Sequence, residues 1–148
     1  MRSSGDARNA RALTQTFGFR RMKYHDFHLR GYSLEQFGGR IVLDLVLDHP
    51  GREKEESRIV FTDVACYSFE HSAGAIITDI EEVEIENLAR EEEQKLSFLA
   101  RQHGLKHWRT DLSDYIATLQ RERLHSWYIG SAIGFGGFVI ARAIEGEP

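Results

Sequence analysis

The chain has 148 residues with 41% hydrophobic and 28% charged residues, the composition and size of one ordinary globular domain able to bury a core without staples. A single cysteine, Cys66, excludes an intramolecular disulfide, and nothing in the composition demands an oxidising compartment, so a cytoplasmic bacterial-type protein is expected. The net charge of −4 is unevenly spread. Residues 1–21 carry Arg2, Arg8, Arg11, Arg20 and Arg21 against Asp6, a balance of +4 that leaves −8 for the remainder. An acidic body argues against nucleic-acid binding through the folded surface, because phosphate neutralisation needs clustered Lys and Arg.

Residues 1–21 are Arg-rich with little to bury, and read as a disordered or loosely attached basic arm ahead of a domain spanning 22–148. A transit peptide shares this composition, whereas a secretory signal would require an apolar run after the arginines. Residues 24–35 alternate imperfectly and are expected to form a first strand. Phe37-Gly38-Gly39 then supplies turn chemistry. In residues 40–49, RIVLDLVLDH, Ile41, Leu43, Leu45 and Leu47 share one face and Val42, Asp44, Val46 and Asp48 the other, a period of two that predicts a strand with one buried side. The two strands are expected to pair as a hairpin. Pro50-Gly51 ends the second, and residues 52–57 read as a charged loop.

Residues 58–70 predict a third strand, with Ile59, Phe61, Ala65, Tyr67 and Phe69 on one face and Asp63 the exception there. Ser72-Ala73-Gly74 reads as a turn and residues 75–85 as a further strand. Residues 86–103 predict a helix, with Leu88, Glu92, Leu96, Leu99 and His103 recurring at intervals of three and four, capped by Gly104. Residues 111–124 predict a second, its acidic first turn and basic last turn suiting the helix dipole. The uncharged stretch 126–141 is sixteen residues long, short of the roughly 18–20 needed to cross a bilayer. Broken by four glycines, it is expected to form a buried β-hairpin turning around residues 133–137. The fold class is therefore α+β: an antiparallel sheet of about six strands, one or two helices on one face, and a C-terminal β-hairpin.

Motifs with chemical content are scarce. The glycines of residues 131–138 match neither the dinucleotide fingerprint nor the phosphate-binding loop, and no lysine lies near them, so turn glycines are the plainer reading. His25 and His28 point to opposite faces of a strand. His103 and His107 have metal-ligand spacing on a helix, but Gly104 interrupts it and no Glu follows His103, so no metal and no cofactor are expected. Asp44 and Asp48 share a strand face about 13 Å apart, too far for a paired-carboxylate mechanism. Asp63 must find donors if buried, or shift its pKa upward. Cys66 sits in an apolar run that favours an inert thiol. No nucleophile motif appears, and an enzyme is the less favoured class.

The densest feature is acidic: Asp79, Glu81, Glu82, Glu84, Glu86, Glu91, Glu92 and Glu93 lie within fifteen residues, opposed by Arg90. One reading is a solvated face whose acids suit the start of a helix. The other is a surface that steers a basic protein partner, with Tyr67, Phe69 or Trp108 nearby as anchors.

Near the C-terminus Ile129, Ser131, Gly134, Gly137, Val139 and Ala141, in the order I-x-S-x-x-G-x-x-G-x-V-x-A, resemble the closing segment of small bacterial α+β domains, some of them immunity proteins of polymorphic toxin systems. The resemblance covers about twenty residues. It implies a non-enzymatic domain that binds and occludes a toxin, often a basic nuclease. The alternative from another class is a small hydrolase or ligand-binding domain, with Asp63 joined to His71 or His125 in a pocket between sheet and helices. A homodimer along a sheet edge is a third possibility.

Overall fold

The structure, a computed structural model, describes residues 26–147. The basic segment 1–21 and the expected domain start at Met22 lie outside the described residues. Strand β1 (His28–Glu35) is followed by one 3-10 turn (Gln36–Gly38) and β2 (Arg40–Leu47), then by the long β3 (Glu55–Val83). Three helices follow, α1 (Ile85–Glu91), α2 (Glu93–His103) and α3 (Leu112–Arg121), and β4 (His125–Glu147) closes the chain.

All pairings are antiparallel, in the order β1-β2-β3-β4. The α+β class and antiparallel sheet follow the alternation in the sequence. Because β3 and β4 each change register midway, the four continuous strands count as six straight segments. The sheet also meets itself. His28 and Leu29 pair with Ile76 and Ala75 of β3 as well as with β2, and the Asp26 and Ile77 amides extend that contact, donating to the Ile77 and Phe27 carbonyls. β3 thus bends around until its second half reaches β1.

This curl divides the interior in two. Ile41, Leu43 and Leu45 of β2, Ile59, Phe61 and Ile77 of β3, and Trp127 and Val139 of β4 fill the inside of the curled sheet. On the outer face Cys66, Phe138 and Ile140 meet Leu88, Ala89, Leu96, Leu112, Tyr115, Ile116 and Leu119 of the helices. Alternation along the two long strands feeds both cores from one backbone.

Four expectations are corrected. Residues 72–74 do not turn the chain; β3 runs through them. His71 pairs with Phe135 and the next pair is Ile76 with Ile133, so a bulge in β3 faces the single residue Gly134, whose φ of +86° only glycine adopts freely. For the same reason residues 125–144 are not a hairpin: β4 is one strand, paired with β3 from end to end. Gly137 has a packing cause, since a Cβ there would lie 2.1 Å from the Ser68 carbonyl oxygen. The expected helix 86–103 is broken at Glu92 (φ −100°, ψ 22°) into α1 and α2. The expected loop 52–57 is shorter, because Glu55, Glu56 and Ser57 already pair with β2. The acidic start of α3 works as expected: the Asp111 side chain caps it by accepting from the Asp114 amide at 2.9 Å.

Candidate functional site

The eight acids fall on three elements and do not behave alike. Asp79, Glu81 and Glu82 lie on the last stretch of β3, opposite Gly130, Tyr128 and Trp127 of β4. Glu84 precedes α1 and Glu86 stands in its first turn. Glu91, Glu92 and Glu93 surround the break between α1 and α2. Glu81, Glu84, Glu86, Glu91 and Glu93 are exposed, and Asp79, Glu82 and Glu92 are half-buried.

Tyr128 ties the strand acids to the helix acids. Its hydroxyl lies 2.7 Å from Glu91 Oε1 and 3.0 Å from Glu92 Oε2. One proton serves two carboxylates, and the partial burial of the ring together with those carboxylates pushes the phenol well above its ordinary range. Tyr128 therefore stays neutral and acts as a donor. Glu82 Oε2 accepts from the His125 ring, whose Nδ1 is 3.0 Å away, while the His125 ring tilts against Trp127 at 6.0 Å. Glu86 pairs with Arg90 one turn on, at 3.0 Å, both half-exposed, a contact of small energetic value. The acidic edge is thus partly self-neutralised and partly open, with Glu84 and Glu93 on its exposed part.

The residues of the hydrolytic alternative are placed apart in function. Asp63 adopts φ +51°, which an aspartate tolerates, and this irregularity turns it out of the inner face, where Val64 takes its place in the core. Its carboxylate receives Arg142 Nε at 3.0 Å and is mostly exposed. His71 stacks against Phe135 and Tyr32, and His125 is engaged by Glu82. An open groove of about 660 Å³ runs between the β1–β2 turn and the C-terminal end of α2. Leu34, Phe37, Val64, Tyr67 and Leu99 form most of its wall, and Lys106 is its one charged lining residue among the described residues.

Cys66 is buried against Tyr115, and burial pushes its thiol up to about 12, with the tyrosine hydroxyl acting in the opposite sense. Such a thiol is a poor nucleophile. Gly104, at φ +77°, ends α2 between His103 and His107 as the sequence indicates. His107 is held below the usual histidine range by burial, then by Lys106. Among the described residues no three of His, Cys, Asp or Glu are placed to share a metal ion. Among the described residues no helix is long and apolar enough to cross a membrane.

The acidic positions are visible in the sequence as composition. Tyr128 is not, because an aromatic residue on a strand reads as core until the β3–β4 register sets it opposite Glu81 and beneath the helix break. No protein-family model matches the chain, and no curated protein matches it.

Proposed function

We propose that this chain is a non-enzymatic, cytoplasmic bacterial domain that binds a basic protein partner through its acidic edge and neutralises it by occlusion, in the manner of an immunity protein. The observation that carries the reading is the gathering of acids from the end of β3, from α1 and from the α1–α2 break around one neutral donor, Tyr128. The helix break and the strand end hold these carboxylates on a shared backbone frame, so the negative potential is a fixed feature. A fixed acidic field raises the encounter rate with a cationic surface and suppresses acidic competitors. The groove adds support from the other side, since its lining among the described residues carries no carboxylate and no histidine for acid–base work.

The test is kinetic. The partner is captured from the native cell, and its association with wild type and with a Glu84→Lys/Glu93→Lys variant is followed across a range of salt. Reversal of these two exposed charges is expected to slow association about tenfold at low salt and to flatten the salt dependence, with little change in dissociation. A partner that is not basic, or an on-rate indifferent to the reversal, removes the proposal.

A further inference from the structure

The two halves of the charge asymmetry meet at one anchored point. Residues 1–21 carry +4 and the remainder −8. Where the described chain begins it is already bound to β3: the Asp26 amide donates to the Ile77 carbonyl at 2.9 Å, and the Ile77 amide to the Phe27 carbonyl at 2.8 Å. His28 and Leu29 carry that contact on to Ile76 and Ala75, while β4 pairs with the other side of β3 from Ile76 to Val83. The chain thus enters on the side of β3 away from β4, two residues short of Asp79, at the foot of the acidic edge. Asp26 has φ +71°, which turns the backbone there.

Lys23, Arg21 and Arg20 stand three, five and six residues before Asp26, a reach of about 10, 17 and 20 Å at the extended rise. Asp79 and Glu81 stand two and four residues beyond Ile77, about 7 and 13 Å along the strand, and Glu84 follows just before α1. Measured from the same anchor, cations and acids have matching spans. Glu82 has His125 and Glu86 has Arg90, whereas Asp79 and Glu84 have no ion-pair partner among the described residues. We propose that the segment preceding Asp26 is the first ligand of the acidic edge: Arg20, Arg21 and Lys23 pair in cis with Asp79, Glu81 and Glu84, and a foreign basic protein has to displace the chain's own cations. Exposed ion pairs are individually weak. The tether offsets this, because it raises the effective concentration of these cations to about millimolar or above. The contact deepens the reading above and rests on it in one respect, that the acidic edge is a surface for cations.

The full chain is digested with trypsin, which cuts after Arg20, Arg21 and Lys23, and each cleavage rate is divided by that of a free peptide of residues 12–25 under the same conditions. Wild type at low salt is expected to be cut about tenfold more slowly than the peptide, with the protection fading at high salt. Asp79→Asn/Glu84→Gln is expected to remove most of the protection at low salt. The salt series needs no variant, so the test survives a variant that fails to fold. Cleavage as fast as in the peptide at low salt overturns the inference, as does protection indifferent to salt. Protection that grows with protein concentration places the cations on a neighbouring copy and overturns the cis contact. No partner enters the assay, so a protected arm upholds this contact even where no basic partner is found, and an unprotected arm sinks it even where one binds.

Discussion

At the scale of single residues, the glycines carry the sharpest contrast. Gly137 lies so close to β3 that a Cβ would meet the Ser68 carbonyl at 2.1 Å and the Phe69 ring at 2.9 Å. The carbonyl belongs to a paired backbone and cannot swing aside, so Gly137→Ala is expected to cost about 3 kcal/mol in chemical denaturation. Gly74, in the β3 bulge, has no heavy atom within 4 Å of the same added carbon, and Gly74→Ala is expected to be neutral or stabilising by up to about 1 kcal/mol. Equal losses at both sites would mean that the β3–β4 register is not the one described. Tyr115 makes a second residue-scale case. Its hydroxyl is buried and finds no regular hydrogen-bond partner among the described residues, with only the Cys66 thiol beside it. Burial, and then the cysteine, push this phenol far above its ordinary value. Tyr115→Phe removes a desolvated polar group without opening a cavity, so it should change stability by less than about 1 kcal/mol at neutral pH.

At the scale of elements, Tyr128 connects β4 to the α1–α2 break, and its effect depends on pH. Its folded-state pKa is raised above that of an unfolded tyrosine, as is that of Tyr115. A group raised in this way contributes stability that is intact below the unfolded value, about 10, and is lost as pH climbs toward the folded one. Wild type should therefore lose stability above roughly pH 10, and Tyr128→Phe should lose less over that interval while being weaker at neutral pH. Parallel pH profiles for the two proteins would argue that the Glu91 and Glu92 contacts do not form. The opposite sign holds on β1 and β2. Arg30 Nε and Nη2 each lie 3.0 Å from Asp44, and this hydrogen bonding holds the carboxyl below its usual range. Its contribution is present at neutral pH and disappears as pH falls through the depressed value, so the difference between wild type and Asp44→Asn should vanish in acid. Because both side chains are more than a third exposed, that difference is small throughout.

The same scale explains what could be read from the chain alone. The alternation of residues 40–49 identified β2 and its buried face correctly, because Ile41, Leu43 and Leu45 have no competing role. Leu112, Tyr115, Ile116 and Leu119 identified α3 for the same reason. Glycine is where sequence and structure part. A glycine permits a turn, a bulge or a close approach, and Gly134 and Gly137 serve the last two while looking like the first. The break at Glu92 has no local signal, since glutamate is a good helix former; it follows from fitting Leu88 and Leu96 onto one curved sheet face. The acidic edge was legible as charge, whereas the parts of it already satisfied by Tyr128, His125 and Arg90 depend on register and helix placement.

For the whole molecule the question is whether two cores make two cooperative units. The inner core contains Trp127, and the outer layer has Trp108 packed against it, in ring contact with Tyr115 at 5.2 Å. These are the two tryptophans of the chain, one on each side of the sheet. Both layers hang on the same two strands: Val139 faces inward and its neighbours Phe138 and Ile140 face the helices. Melting the helix layer exposes one side of β3 and β4 and leaves their pairing unsupported, so neither core can be lost without weakening the other. Single-tryptophan variants separate the signals. Trp127→Phe leaves Trp108 as the reporter of the helix layer; it removes an indole N–H that has no partner among the described residues but also trims a fully buried core side chain, so the variant unfolds at lower urea than wild type. Trp108→Phe leaves Trp127 as the reporter of the curl. Each variant should unfold in urea in a single transition, with its fluorescence midpoint coincident with that from far-ultraviolet circular dichroism. A Trp108 signal that is lost at lower denaturant than the sheet would mean that the helices form a separate, weaker unit, and that β4 holds its place through pairing with β3 and the inner core alone.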